Sequence, residues 1–155
     1  MLKYVDTKVV FQEIPDEITL AINISGCPNY CKNCHSPHLA DNIGTNLDAE
    51  ELGKLINSNK GITCVCFMGG DNKPYLVLML ARIIKIHFPE LKVGWYSGKQ
   101  TIASCVMLNI HNFDYIKVGP YIEELGPLNS KTTNQKLYKV ENEKLIDITK
   151  RFWND

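Results

Sequence analysis

Residues 62–98 read ITCVCFMGGDNKPYLVLMLARIIKIHFPELKVGWYSG. Residues 62–68 form a short apolar run rich in β-branched and aromatic side chains, closed by Gly69 and Gly70, which predicts a strand. Pro74 opens an apolar helix through His87, because a proline is tolerated in the first turn, and Pro89 stops it. Val77, Leu80, Ala81 and Ile84 recur at helical spacing and give that helix a core stripe. Residues 91–96 then predict another strand, ending at Ser97 and Gly98.

The same alternation extends in both directions. Upstream, residues 18–24 predict a strand, and residues 25–46, dense in Cys, Pro, Asn and Gly, predict a long loop. Asp48 caps a helix reaching about residue 57, with Glu51 three positions on. Downstream come a helix over 101–110, a strand over 115–118, and two short strands over 137–140 and 145–148 with Asn142 in the turn. Near the start only Val9, Val10 and Phe11 form an apolar stretch, and Pro15 prevents its extension. Strand–helix alternation from 18 to 118 predicts an α/β fold with a mainly parallel sheet. A closed eightfold barrel takes about 250 residues. The 155 residues here fit an incomplete, partial βα barrel, one domain over 1–155. Cys27, Gly69 and Ser97 each follow a strand, on the sheet edge where α/β proteins place their sites.

Composition narrows the function classes. With 45% hydrophobic and 22% charged residues the chain can bury a core. Seventeen Lys and Arg balance seventeen Asp and Glu, so no global field draws it to nucleic acid or an anionic membrane. The longest apolar run, 75–81, ends at Arg82, far short of the ~20 residues of a membrane span. Met1 to Asp6 carries no apolar signal segment, and the expectation is a cytoplasmic chain with neither nucleic-acid nor membrane partners.

Six cysteines are the compositional oddity. Cys64 and Cys66 share one side of a strand and Cys105 lies on an apolar helix, so these three read as small buried hydrophobes. Cys27, Cys31 and Cys34 instead crowd one loop as C-x3-C-x2-C, among turn-forming Gly26, Pro28 and Asn29. A 4Fe–4S cube normally takes four cysteines, so three leave one iron open to a substrate. Two other readings stay open at this level: a closed zinc tetrahedron of Cys27, Cys31, Cys34 and His38, and three thiols without a metal.

The cysteine loop, Gly69-Gly70-Asp71 at the end of the next long strand, and residues 127–136 together resemble the radical S-adenosylmethionine (SAM) superfamily. Within it the chain is most similar to the activating proteins of anaerobic ribonucleoside-triphosphate reductase. It departs from them at Asn33, where many relatives carry an aromatic residue, and at Asn72-Lys73, which separate the Gly-Gly-Asp motif from Pro74. The resemblance implies a 4Fe–4S cluster on Cys27, Cys31 and Cys34, with SAM chelating the fourth iron. It also implies SAM contacts from Asn33, Cys34 and His35, from the bare backbone of Gly69 and Gly70, from Asp71 and from Ser97. A flavodoxin- or ferredoxin-type donor would reduce the cluster, and the deoxyadenosyl radical would take an α-hydrogen from a glycine of the large reductase subunit, leaving a glycyl radical. An open barrel would leave room for that glycine loop. A radical SAM enzyme for a small molecule and a zinc-stabilised interaction module are the alternatives.

Overall fold

The computed structural model describes residues 1–26 and 43–153. The runs read as strands at 62–68 and 91–96 become β4 (Cys64–Met68) and β5 (Lys92–Tyr96), with α2 (Pro74–His87) between them. Upstream lie β1 (Lys3–Val10), β2 (Thr19–Ile24), β3 (Thr45–Asn46) and α1 (Ala49–Asn57). Downstream lie α3 (Ser104–Met107), β6 (Tyr115–Val118), β7 (Lys136–Glu141) and β8 (Lys144–Asp147). As its sequence suggests, α1 is capped by Asp48, whose carboxylate accepts the Glu51 N–H at 2.9 Å.

All eight strands join one sheet in the order β3-β1-β2-β4-β5-β6-β7-β8. Of its seven pairings, the three among β2, β4, β5 and β6 are parallel and the other four antiparallel. The expectation of an incomplete βα barrel with a mainly parallel sheet is therefore corrected to a mixed sheet with three α-helices among the described residues. The reason lies in the connections. Parallel neighbours need a crossover of a dozen or so residues. The links into β4, β5 and β6 provide one, whereas β7 returns to β8 through a two-residue turn at Asn142 and Glu143, both at positive φ. β1 pairs antiparallel with β2 across the bend at 11–18, and half-exposed, charge-interspersed KYVDTKVV carries little of the apolar signal that marks a strand.

The helix expected over 101–110 is also shortened. α3 begins without a side-chain cap and gives way to a 3-10 turn at Ile110–Asn112. Asn109 Nδ2 donates to Cys105 O at 2.8 Å, and Asn112 Nδ2 to Asn109 O at 3.0 Å, offering the backbone an alternative to continued helix.

The period-2 alternation of the strands separates two apolar layers. Ile22, Val65, Phe67, Val93, Trp95 and Ile116 pack under the helices against Leu52, Val77, Ala81 and Ile84. Burying each of these larger side chains contributes about 1.5–3 kcal/mol. On the opposite face Cys64, Cys66, Tyr96, Tyr115 and Leu137 pack with Ile14 and Leu128 from the connecting segments. Buried Glu17 clamps the 11–18 bend there, accepting Thr63 Oγ1 and Tyr115 Oη, each at 2.7 Å. No helix among the described residues is long and apolar enough to cross a membrane.

Gly94 lets Ile14 sit directly on β5, since a Cβ there would lie 2.7 Å from Ile14 Cδ1 and 3.2 Å from Cys66 Sγ. Gly94→Val is expected to destabilise the protein by about 1–3 kcal/mol through overpacking. Urea unfolding measures it, and an unchanged midpoint would show that Ile14 does not rest on this strand.

Candidate functional site

Three parallel strands end in tight turns on one edge of the sheet. After β4 the chain turns through Gly69 and Gly70 at φ +110° and +91°. A Cβ at Gly69 would lie 3.0 Å from the Ile24 carbonyl oxygen, and one at Gly70 2.6 Å from Val77 Cγ2. Only glycine meets both the conformation and the space. The turn is anchored to β5: the Gly69 N–H donates to Tyr96 O at 3.0 Å, and Trp95 Nε1 donates to Gly69 O at 2.7 Å.

Asp71 and Ser97 come together across this edge. Ser97 Oγ donates to Asp71 Oδ1 at 2.5 Å, and the Gly98 N–H donates to Asp71 Oδ2 at 2.8 Å. Ser97 Oγ also accepts the Lys99 N–H at 3.1 Å. The carboxylate thus organises the β4 and β5 turns. Ser97 is buried behind it, in a hollow of about 300 Å³ also lined by Asp71, Pro74, Trp95, Lys99 and Thr101.

Ser25 and Gly26 follow β2 on the same edge. The Ser25 N–H donates to Lys3 O at 2.9 Å, and Ser25 Oγ donates to Ile43 O at 2.5 Å, which brings Ile43 beside the end of β2. Gly26, at φ +74°, lies where a Cβ would come within 3.4 Å of Asn72 Nδ2, next to Asp71. Cys27, Cys31, Asn33, Cys34, His35 and the alternative zinc ligand His38 lie outside the described residues. Among the described residues no three His, Cys, Asp or Glu side chains gather as a metal ion would require.

Lys117 is the residue that reading the sequence missed, although a lysine inside the apolar strand YIKV is itself a signal. It is buried on β6, donating from Nζ to Ser97 O at 3.2 Å and to Gly119 O at 2.9 Å, with the Tyr96 ring centroid 5.9 Å away. It therefore extends the Asp71–Ser97 link to the end of a third parallel strand. The Asn134-Gln135 pair packs on that end: Asn134 Nδ2 donates to Pro120 O at 3.0 Å and buried Gln135 donates to Gly119 O at 3.4 Å. Beside them opens a cleft of about 780 Å³ lined by Glu13, Tyr96, Lys117, Leu128, Gln135 and Phe152. Trp153 folds back beside it, its Nε1 donating to Leu128 O at 3.0 Å.

Cys64 and Cys66 lie on this face of the sheet, fully buried. Burial, reinforced by the Glu17 charge, pushes the Cys64 thiol up to about 12, and burial raises Cys66 as well. The thiolate is the nucleophile and metal ligand, so neutral thiols here behave as core residues.

No protein-family model matches this chain, and neither a curated protein nor a solved structure does.

The raised Cys64 thiol sets a pH dependence. Above the ordinary thiol value of 9.0 the unfolded chain gives up a proton that the folded chain keeps until about 12, so stability is full below that window and falls as pH rises through it. Replacing Cys64 by Ala should flatten the decline in urea-unfolding free energy by up to about 1.4 kcal/mol per pH unit. An identical alkaline slope in both proteins would overturn the assignment.

Proposed function

We propose that this chain is a radical SAM activating enzyme that generates a glycyl radical on an anaerobic ribonucleoside-triphosphate reductase. The observation that carries the reading is a convergence. Gly26, which precedes the C-x3-C-x2-C segment in sequence, follows β2 beside Asn72 of the turn after β4, and Asp71 ties that turn to Ser97, on one edge of the parallel strands. Three thiols at this spacing suit an iron–sulfur cube with an open iron, and a turn without side chains gives a small ligand access to backbone carbonyls.

Bound to Cys27, Cys31 and Cys34 and reduced by a flavodoxin- or ferredoxin-type donor, a 4Fe–4S cluster supplies reductive cleavage of SAM and, through the resulting radical, removal of a glycine α-hydrogen. The chain's own residues bind and orient. Asn33, Cys34 and His35 would line the SAM pocket from the loop. Gly69 and Gly70 present bare backbone toward the SAM ammonium. Asp71, accepting from Ser97 Oγ and the Gly98 N–H, holds that turn in place and lends it negative charge. Ser97 acts behind the carboxylate as a positioning residue.

The cleft of about 780 Å³ favours a second reading, in which the same chemistry acts on a small molecule. Its volume lies in the range of small-ligand sites.

Anaerobic reconstitution with iron and sulfide tests the proposal. Brown protein that cleaves SAM under reducing conditions supports it, and a glycyl radical signal by electron spin resonance on the added reductase separates it from the small-molecule reading. Colourless protein carrying stoichiometric zinc would sink it in favour of an interaction module. Cys31→Ala is expected to lose stable cluster assembly. Asp71→Ala is expected to keep the cluster while weakening SAM binding about tenfold, as loss of a hydrogen-bonded charge does. Unchanged SAM affinity in that variant would take Asp71 out of the site.

A further inference from the structure

Residues 149–153 tie together the segments that enclose the cleft of about 780 Å³. Arg151 and Phe152 line it, as do Glu13 and Pro15 of the 11–18 bend, Leu128 of the 119–135 segment and buried Gln135. Arg151 Nη2 donates to both carboxylate oxygens of Asp16 at 2.9 Å, which joins the 149–153 segment to the bend. Trp153 Nε1 donates to Leu128 O at 3.0 Å, which joins it to the other side. One short stretch of chain therefore bridges two lining segments that no strand ladder holds together.

The two ends of this stretch are held very differently. Thr149 is buried; its Oγ1 accepts the Leu137 N–H at 3.0 Å, and Asp147 Oδ1 accepts from the Thr149 N–H at 2.9 Å and from Thr149 Oγ1 at 2.6 Å. The Ile148 N–H donates to Leu137 O at 2.9 Å, so the stretch starts from a pivot fixed on β7. Beyond the pivot the contacts are light. The Arg151 and Asp16 side chains are 52% and 71% exposed, and an ion pair so exposed contributes little and is screened by salt. Trp153 adds a single hydrogen bond, and Phe152 is only half-buried. Segments with few buried contacts open locally while the rest of a fold stays closed. Asp16 stands at φ +69°, a conformation that glycine adopts freely and aspartate tolerates, and only the aspartate supplies a carboxylate to Arg151. We infer that residues 150–153 form a strap that swings on Thr149 and gates the cleft, with the Arg151–Asp16 pair as its latch. The inference is independent of the chemistry proposed above.

The chain's two tryptophans supply a reporter and a reference for hydrogen exchange followed by NMR on the full chain. The Trp153 indole N–H reads the strap, and the Trp95 indole N–H, bonded to Gly69 O at 2.7 Å, reads the core. Asp16→Asn removes the latch charge while keeping a residue that tolerates the same backbone. It is expected to speed exchange at Trp153 about two- to fivefold and to leave Trp95 unchanged, as loss of an exposed ion pair implies. Added sodium chloride should speed Trp153 in the wild-type chain and have much less effect in the variant. Arg151→Gln should match Asp16→Asn, and combining the two should add nothing further. Access to the cleft is read from broadening of the Gln135 carboxamide signals by the soluble nitroxide TEMPOL, with buried Asn112 in the helix layer as control. The Gln135 broadening should rise in Asp16→Asn and that of Asn112 should not. Unchanged exchange at Trp153 would overturn the inference, because the pair then latches nothing. Equal acceleration at Trp95 would reject it in favour of general loosening, as would additive effects of the two substitutions. Faster exchange at Trp153 with unchanged broadening at Gln135 would show a segment that moves without gating the cleft, which also rejects it.

Discussion

Parallel strands bring distant loops to one edge only if their C-terminal turns are held against one another, and here the Asp71 carboxylate does much of that work. It receives Ser97 Oγ and the Gly98 N–H from the neighbouring turn, and Ser97 in turn carries Lys117 on its carbonyl. Hydrogen bonds within the sheet align the strands along their length, but they do not specify where the connecting segments go once the ladder ends. The Asp71–Ser97–Lys117 series does, and Trp95 Nε1 on the Gly69 carbonyl completes it.

That edge is also where the mixed topology matters. Among the described residues the helices collect on one face, as right-handed crossovers between successive neighbouring strands require, and the other face is covered by the 11–18 bend, the 119–135 segment and the C-terminal tail. These segments are held by specific polar contacts: Glu17 to Thr63 and Tyr115, and Arg151 to Asp16 at 2.9 Å. The cleft beside Lys117 and Gln135 is what remains between them. The two faces consequently have different characters. One offers a polar-lined cleft reaching the strand ends, while the other carries Tyr75, Met79 and Ile86 exposed on α2.

Much of the central fold was legible from local pattern. β2, β4, β5 and β6 are short runs of β-branched and aromatic residues, and α1 and α2 announce themselves through an Asp cap and a first-turn proline. β1 was not legible, because a half-exposed edge-side strand can mix charge with valine and still pair. The shortening of α3 was hidden as well. Asn109 and Asn112 look like ordinary helix-surface residues until their carboxamides bond to nearby carbonyls.

The division at the site follows the same physics. Sequence alone determined the candidate site residues, because thiols at C-x3-C-x2-C spacing, adjacent glycines and a carboxylate are defined by covalent identity and local spacing. It also determined that Gly69, Asp71 and Ser97 follow strands, which is a matter of one-dimensional order. Tertiary structure decided which strand pairs with which, turning an expected partial barrel into a mixed eight-stranded sheet. It decided too that Asp71 bonds to Ser97 and that Lys117 is buried beneath them. Pairing and burial depend on contacts between residues far apart in the chain, and a local pattern carries no information about the partner until the chain closes on it.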